Sequence, residues 1–159
     1  MESAVEELCR SGLTPREAEA WGGLLRVHSA LMKTFDAELE EKFGIATSEF
    51  EVLAMLAHHP AGRMRMAELA GSVLLSASGM SRLVERLQRR GLVTRETDAS
   101  DRRGALAVVT DAGRELAAEA EAVHWASVRE RFLSHFTGEE QELLGAFWRR
   151  ILDGDASAM

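Results

Sequence analysis

A mainly α fold with one small β-hairpin is what this chain predicts, and three observations predict it. Apolar residues recur at steps of three and four along most of the 159 residues, which is the period of one helix face. Two short β-prone runs, Leu92 to Glu96 and Ala105 to Val109, stand apart from that pattern and are joined by a polar tip. Only two prolines occur, with no low-complexity stretch and no internal repeat.

The elements follow in order. A short segment, Glu2 to Arg10, precedes Gly12. Thr14-Pro15-Arg16-Glu17 reads as a helix start, with Thr as N-cap, Pro at the first helical position and Glu reaching back as a capping box. Trp21, Leu24, Leu25, His28, Leu31, Met32, Phe35 and Leu39 then mark one long amphipathic helix ending near Gly44. Thr47 caps a second helix carrying Phe50, Val52, Leu53 and Leu56, stopped by His59-Pro60. A third, short helix runs from about Met66 to Val73, with Ala67, Leu69 and Ala70 inward. Ser76 or Ser78 starts a fourth, with Met80, Leu83, Val84 and Leu87 at core spacing and Gly91 as its stop. The hairpin follows, its tip running from Thr97 to Gly104. Thr110 starts another long helix to about Phe136. Thr137-Gly138-Glu139-Glu140 is a second capping box, opening a last helix with Leu143, Leu144, Phe147, Trp148 and Ile151 on one face.

Three helices followed by a hairpin build a winged helix-turn-helix. The expected organisation is a single domain, 1–159, with the winged part at about 45–110 and dimerisation helices at about 1–44 and 111–159. The terminal helices carry more apolar surface (Trp21, Leu24, Leu25, Phe132, Phe136, Phe147, Trp148, Ile151) than so small a winged part can cover. A two-fold dimer is the commonest remedy.

The chain is 46% hydrophobic and 28% charged, a soluble globular profile. No apolar run approaches the roughly 20 residues of a membrane span, and the acidic N-terminus lacks a signal peptide's basic region. Cys9, the single cysteine, excludes an intramolecular disulfide, and a cytoplasmic protein is expected. No Gly-rich phosphate loop, Ser-His-Asp arrangement or carboxylate pair points to an enzyme. His28, His58, His59, His124 and His135 lack the spacing of a metal site, so neither metal nor cofactor is expected.

Net charge is −7, yet it is unevenly spread. Between Arg63 and Gly104 nine arginines face five acids, a surplus of +4 that leaves −11 for the remainder. A basic middle between acidic ends suits a phosphate-facing surface. The fourth helix concentrates it. Ser76, Ser78 and Ser81 crowd its start, where a helix entering the major groove must approach base edges closely. They can donate to phosphates or bases, and Arg82 can fork onto a guanine or a phosphate. Arg86, one turn on, joins them as a candidate DNA contact. At the hairpin tip Asp101 can hold one guanidinium of Arg102-Arg103, and an arginine there can enter the narrow minor groove.

With these residues in view, the chain resembles the MarR family of bacterial regulators. The resemblance rests on Leu53-Ala54-Met55-Leu56, Arg65-Met66-Ala67-Glu68-Leu69-Ala70, the run from Ser76 to Leu87, and Arg90-Gly91-Leu92-Val93. Its most specific part is Asp101-Arg102-Arg103-Gly104, followed six residues later by Thr110-Asp111-Ala112-Gly113. This is similar to the family's wing signature, with Val109 where Leu is usual. The likeness spans about residues 14 to 152. It implies a homodimer with interlocked terminal helices and two winged parts on a palindromic duplex-DNA operator. By position it implies recognition-helix contacts at Ser76, Ser78, Ser81 and Arg82, wing contacts at Arg102 and Arg103, and an orienting carboxylate at Asp101.

The resemblance also implies a repressor released from DNA by a small aromatic or anionic inducer. Trp21, His28 and Met32 on the long helix, with Phe50 opposite, are the candidate ligand-binding residues. Plain core packing is the competing reading of that stripe, and a histidine on it is more often structural than ligating. Two alternatives stand beside this: redox sensing at Cys9, which here has no tyrosine nearby, and a winged helix used as a protein-interaction module.

Overall fold

The computed structural model describes residues 12–73, 75–97 and 105–156. The segment Glu2–Arg10 with Cys9, and the wing tip with Asp101, Arg102 and Arg103, lie outside them. The chain divides into two compact units, Met1–Ala122 and Val123–Met159.

In the first unit, α1 (Pro15–Phe43) begins at the Thr14 capping box. Thr14 N–H donates to Glu17 Oε2 at 2.8 Å, while Thr14 Oγ1 accepts from Glu17 N–H at 3.4 Å. The helix ends at Gly44, whose backbone is left-handed. The second helix, α2 (Thr47–His58), starts one residue differently from the expectation at Thr47. Ala46 is the N-cap, and its N–H donates to Glu49 Oε2 at 3.1 Å. Thr47 instead donates its backbone N–H to Asp36 Oδ1 at 2.7 Å, which ties α2 to α1.

A strand that the sequence reading lacks comes next, β1 (Arg63–Arg65). It leads directly into α3 (Met66–Ser72), and α4 (Ala77–Arg89) follows after a short turn. Ser76 is the N-cap of α4, accepting from Gly79 N–H at 3.1 Å. Gly91 ends α4, with φ 73°. Gly91 N–H reaches Gln88 O at 2.9 Å and Leu92 N–H reaches Leu87 O at 3.0 Å, the paired closure that a left-handed residue after the cap allows.

The hairpin is β2 (Val93–Thr97) and β3 (Ala105–Val109), antiparallel with Val93 opposite Val109 and Arg95 opposite Ala107. Because β1 pairs with the other edge of β3, the sheet has three strands in the order β1-β3-β2. A three-residue Arg-Met-Arg strand carries no period-two signal of its own. It exists because β3 offers it a free edge.

The core of this unit is built where the three helical faces meet the sheet. Leu53, Leu56, Leu69, Met80, Leu83, Val84 and Leu87 are buried together with Val93, Ala107 and Val109. Each large aliphatic side chain so buried contributes about 1.5–3 kcal/mol. Four of them, Met80, Leu83, Val84 and Leu87, form the inner stripe of α4 and fix its rotation.

Helix α5 (Asp111–Arg131) crosses the boundary between the units and ends earlier than the expected Phe136. A 3-10 turn, Leu133–His135, follows in the second unit. There Phe132 and Phe136 meet edge to face, with centroids 5.2 Å apart. The last helix, α6 (Gly138–Ala156), opens at the expected capping box. Thr137 N–H donates to Glu140 Oε2 at 2.8 Å, and Thr137 Oγ1 accepts from Glu140 N–H at 3.3 Å.

Candidate nucleic-acid interface

With the inner stripe of α4 committed to the core, its other side is set by helical geometry. Ser76, Ser78 and Arg82 are exposed and Ser81 is half-buried. Ser76 is occupied with the cap and lies 3.2 Å from Ser78 Oγ. Among the described residues, Arg82 has neither a hydrogen bond nor an ion pair, so its five N–H donors all remain available.

The other arginines of the basic segment divide by what they touch. Arg86 sits one turn beyond Arg82 but is turned toward α2. Its Nε donates to Glu49 Oε1 at 2.8 Å, while the other oxygen of that buried carboxylate serves Ala46. Arg90 donates to the carbonyls of Gly44 at 2.6 Å and Phe43 at 2.9 Å, closing the end of α1. Arg63 is 3.8 Å from Glu96 across the sheet. Arg89, like Arg82, is without a partner among the described residues. Thus the +4 surplus is partly internal, and Arg86 in particular serves the fold through Glu49.

Arg95 reaches the helix from the wing. On β2 it shares a face with Val93, two residues earlier. Val93 is buried against the core, and Arg95, one step farther out, extends over α4. Its Nη2 donates to Ser81 O at 2.7 Å and to Ser81 Oγ at 3.0 Å.

The junction behind the hairpin gives a physical reason for the Thr110-Asp111-Ala112-Gly113 motif. Thr110 Oγ1 donates to Gly91 O at 2.8 Å and Leu92 O at 3.1 Å, and accepts from Gly113 N–H at 3.0 Å. One hydroxyl thereby starts α5 and holds it to the end of α4. A Cβ at Gly113 would collide with the Leu92 carbonyl, so only glycine permits that approach.

The four candidate ligand residues differ in exposure. Phe50 is 4% exposed and belongs to the core, in one cluster with Leu39 of α1. Trp21 and His28 are exposed. Met32 alone borders a shallow hollow of about 430 Å³, with Lys33, Asp36, Thr47, Ser48 and Glu51 among its other walls. Partial desolvation pushes the Glu51 carboxyl up from its ordinary value. No group of three or more potential metal ligands occurs among the described residues.

A model described as the MarR family matches residues 43–104, the stretch from the end of α1 to the wing tip. AbsC from Streptomyces coelicolor, a MarR family transcriptional regulator of known crystal structure, is 32% identical. The likeness covers 91% of this chain and 97% of AbsC, with a TM-score of 0.85. The chain belongs to the MarR family of transcriptional regulators. Sco3205, a second Streptomyces coelicolor MarR family regulator, was solved in complex with DNA; it is 32% identical over 89% of each chain, with a TM-score of 0.85. The transcriptional regulator HosA of Escherichia coli O111:H- is 31% identical over 105 residues, 66% of this chain and 76% of its own. These relatives are regulators rather than enzymes.

For this MarR family member, sequence reasoning found the exposed face of α4 because a helix period is local. It did not single out Arg95, although a signal was present. Val93 and Arg95 lie on one face of a strand that packs on α4, so an inward Val93 directs Arg95 toward the same helix.

Proposed function

We propose that this MarR family chain is a homodimeric, sequence-specific duplex-DNA-binding repressor of the cytoplasm. In this reading α4 enters the major groove and the wing tip reaches the adjoining minor groove. The observation that carries it is the outer face of α4, where Ser78 and Arg82 stand exposed on a helix whose inner stripe is locked in the core. Ser76 lies at the entry to that helix, and Asp101, Arg102 and Arg103 supply the wing. The DNA complex of Sco3205 supports the reading by likeness of fold and sequence. Dimerisation is supported by apolar surface left open on each unit: Trp21, Leu24 and Leu25 in the first, Leu143, Phe147, Trp148 and Ile151 in the second. No helix among the described residues is long and apolar enough to cross a membrane.

Sequencing duplex fragments selected from a genomic pool tests the proposal. The expected result is a palindromic motif with half-sites about one helical turn apart. Selection of no motif from the pool would contradict it.

Release by a small aromatic or anionic ligand belongs to the same proposal and rests on Trp21, His28 and the hollow at Met32. A ligand shifts DNA binding only by its differential affinity for the two states of the dimer. Aromatic carboxylates titrated against the DNA complex should release wild type and spare His28→Ala. Equal response of the two proteins would remove this part.

A further inference from the structure

A serine hydroxyl offers one donor and two acceptor positions and rotates to suit its surroundings. Left to itself on a recognition helix, it accepts from one base as readily as it donates to another. Ser81 is not left to itself. Arg95 Nη2 donates to its Oγ at 3.0 Å and to its carbonyl at 2.7 Å, so the guanidinium is anchored at two points of one residue. The positive N–H directed at Oγ turns the hydroxyl hydrogen away, and the adjacent cation polarises the O–H bond further. Among the described residues no acceptor takes up that proton. Ser81 lies beside Arg82 and three residues after Ser78, at the margin of the exposed face and half-buried beneath Arg95.

We propose that Arg95 and Ser81 form one base-reading unit, in which Arg95 holds Ser81 Oγ as an acceptor and dedicates its proton to an acceptor atom on a base edge. This deepens the DNA-binding reading and rests on it. The major groove offers such acceptors as purine N7, guanine O6 and thymine O4, whereas cytosine presents only its amino donor there. The base pair beside Ser81 is therefore selected against cytosine on the strand it faces. Arg95 sets that preference as a positioning residue.

The test uses the full-length protein and the duplex that wild type selects from a randomised pool. Each half-site position is then substituted with all four bases, and affinities are measured for wild type, Ser81→Ala, Arg95→Ala, Arg95→Lys and the Ser81→Ala/Arg95→Ala pair. Wild type should disfavour cytosine at one position by about fivefold or more. Ser81→Ala and Arg95→Ala should each lose that discrimination at the same position, the double variant should lose no more, and Arg95→Lys, which keeps a cationic donor, should retain part of it. Loss of affinity spread equally over all sequences, with a shallower salt dependence in Arg95→Ala, would make Arg95 a phosphate anchor and overturn the proposal. Discrimination surviving in Ser81→Ala would overturn it without reference to Arg95, even were the Arg95 variants to fold poorly. Failure of wild type to select any duplex is a different result, since it removes the DNA-binding reading beneath.

Discussion

Arg82 and Arg86 stand one turn apart on α4, yet their surroundings assign them different work. Among the described residues nothing engages the Arg82 donors, and in the proposed complex it reaches a base or a phosphate. Its replacement by Ala should cost about 1–3 kcal/mol of binding and relax preference at one operator position if it reads a base. A uniform loss on every sequence makes it a phosphate anchor, and an unchanged affinity in a gel-shift titration removes it from the interface. Arg86 is held 2.8 Å from a carboxylate whose side chain is only 8% exposed. Removing one partner leaves Glu49 buried without its counter-charge, although Ala46 N–H still serves it. Since the Arg86 side chain is itself 49% exposed, Arg86→Ala should lower folding stability by about 1–3 kcal/mol. The slope of DNA affinity against salt should stay at the wild-type value. Denaturant melts and a salt titration separate these effects, and a reduced slope would return Arg86 to the DNA surface.

Elements whose boundaries are local were legible before any coordinates. The capping boxes at Thr14 and Thr137, the stops at Gly44 and Gly91 and the inner stripe of α4 are each written within a few residues of chain. What was not legible depends on distant partners. Strand β1 exists only by pairing with β3, some 40 residues on. The Arg86–Glu49 pair spans 37 positions, so helical phase alone does not disclose it. The overrun of α5 has another cause. Phe132 and Phe136 keep an i, i+4 spacing, yet Phe132 has left helical geometry at φ −125° and the rings meet across a 3-10 turn. At the wing junction, Gly113→Ala should destabilise the fold by about 1–3 kcal/mol, since its Cβ meets the Leu92 carbonyl rather than a yielding side chain. Thermal melting should show a lowered Tm for Gly113→Ala, while Gly23→Ala, where a Cβ meets nothing, should melt no lower than wild type. Equal melting of Gly113→Ala and wild type would contradict the close packing of α5 on the end of α4.

In the whole molecule, the proposed reading face works together with a proposed second copy of the chain. On α6, Phe147 is 45% and Ile151 is 56% exposed, a large apolar display for a monomer. Placing a charge there, as in Phe147→Glu, should dissociate the proposed dimer or weaken it by several kilocalories per mole, about a hundredfold or more in the dimer constant. Light scattering reads this directly, and an unaltered dimer would show that another surface joins the two copies. Sequence-specific binding to duplex DNA is read from affinity for a selected duplex and for an unrelated duplex of equal length, followed across salt concentration. Binding should fall steeply with salt on both duplexes, with a preference for the selected one of about a thousandfold or more at physiological salt. Equal affinity for the two duplexes, or no binding to either at low salt, would contradict it.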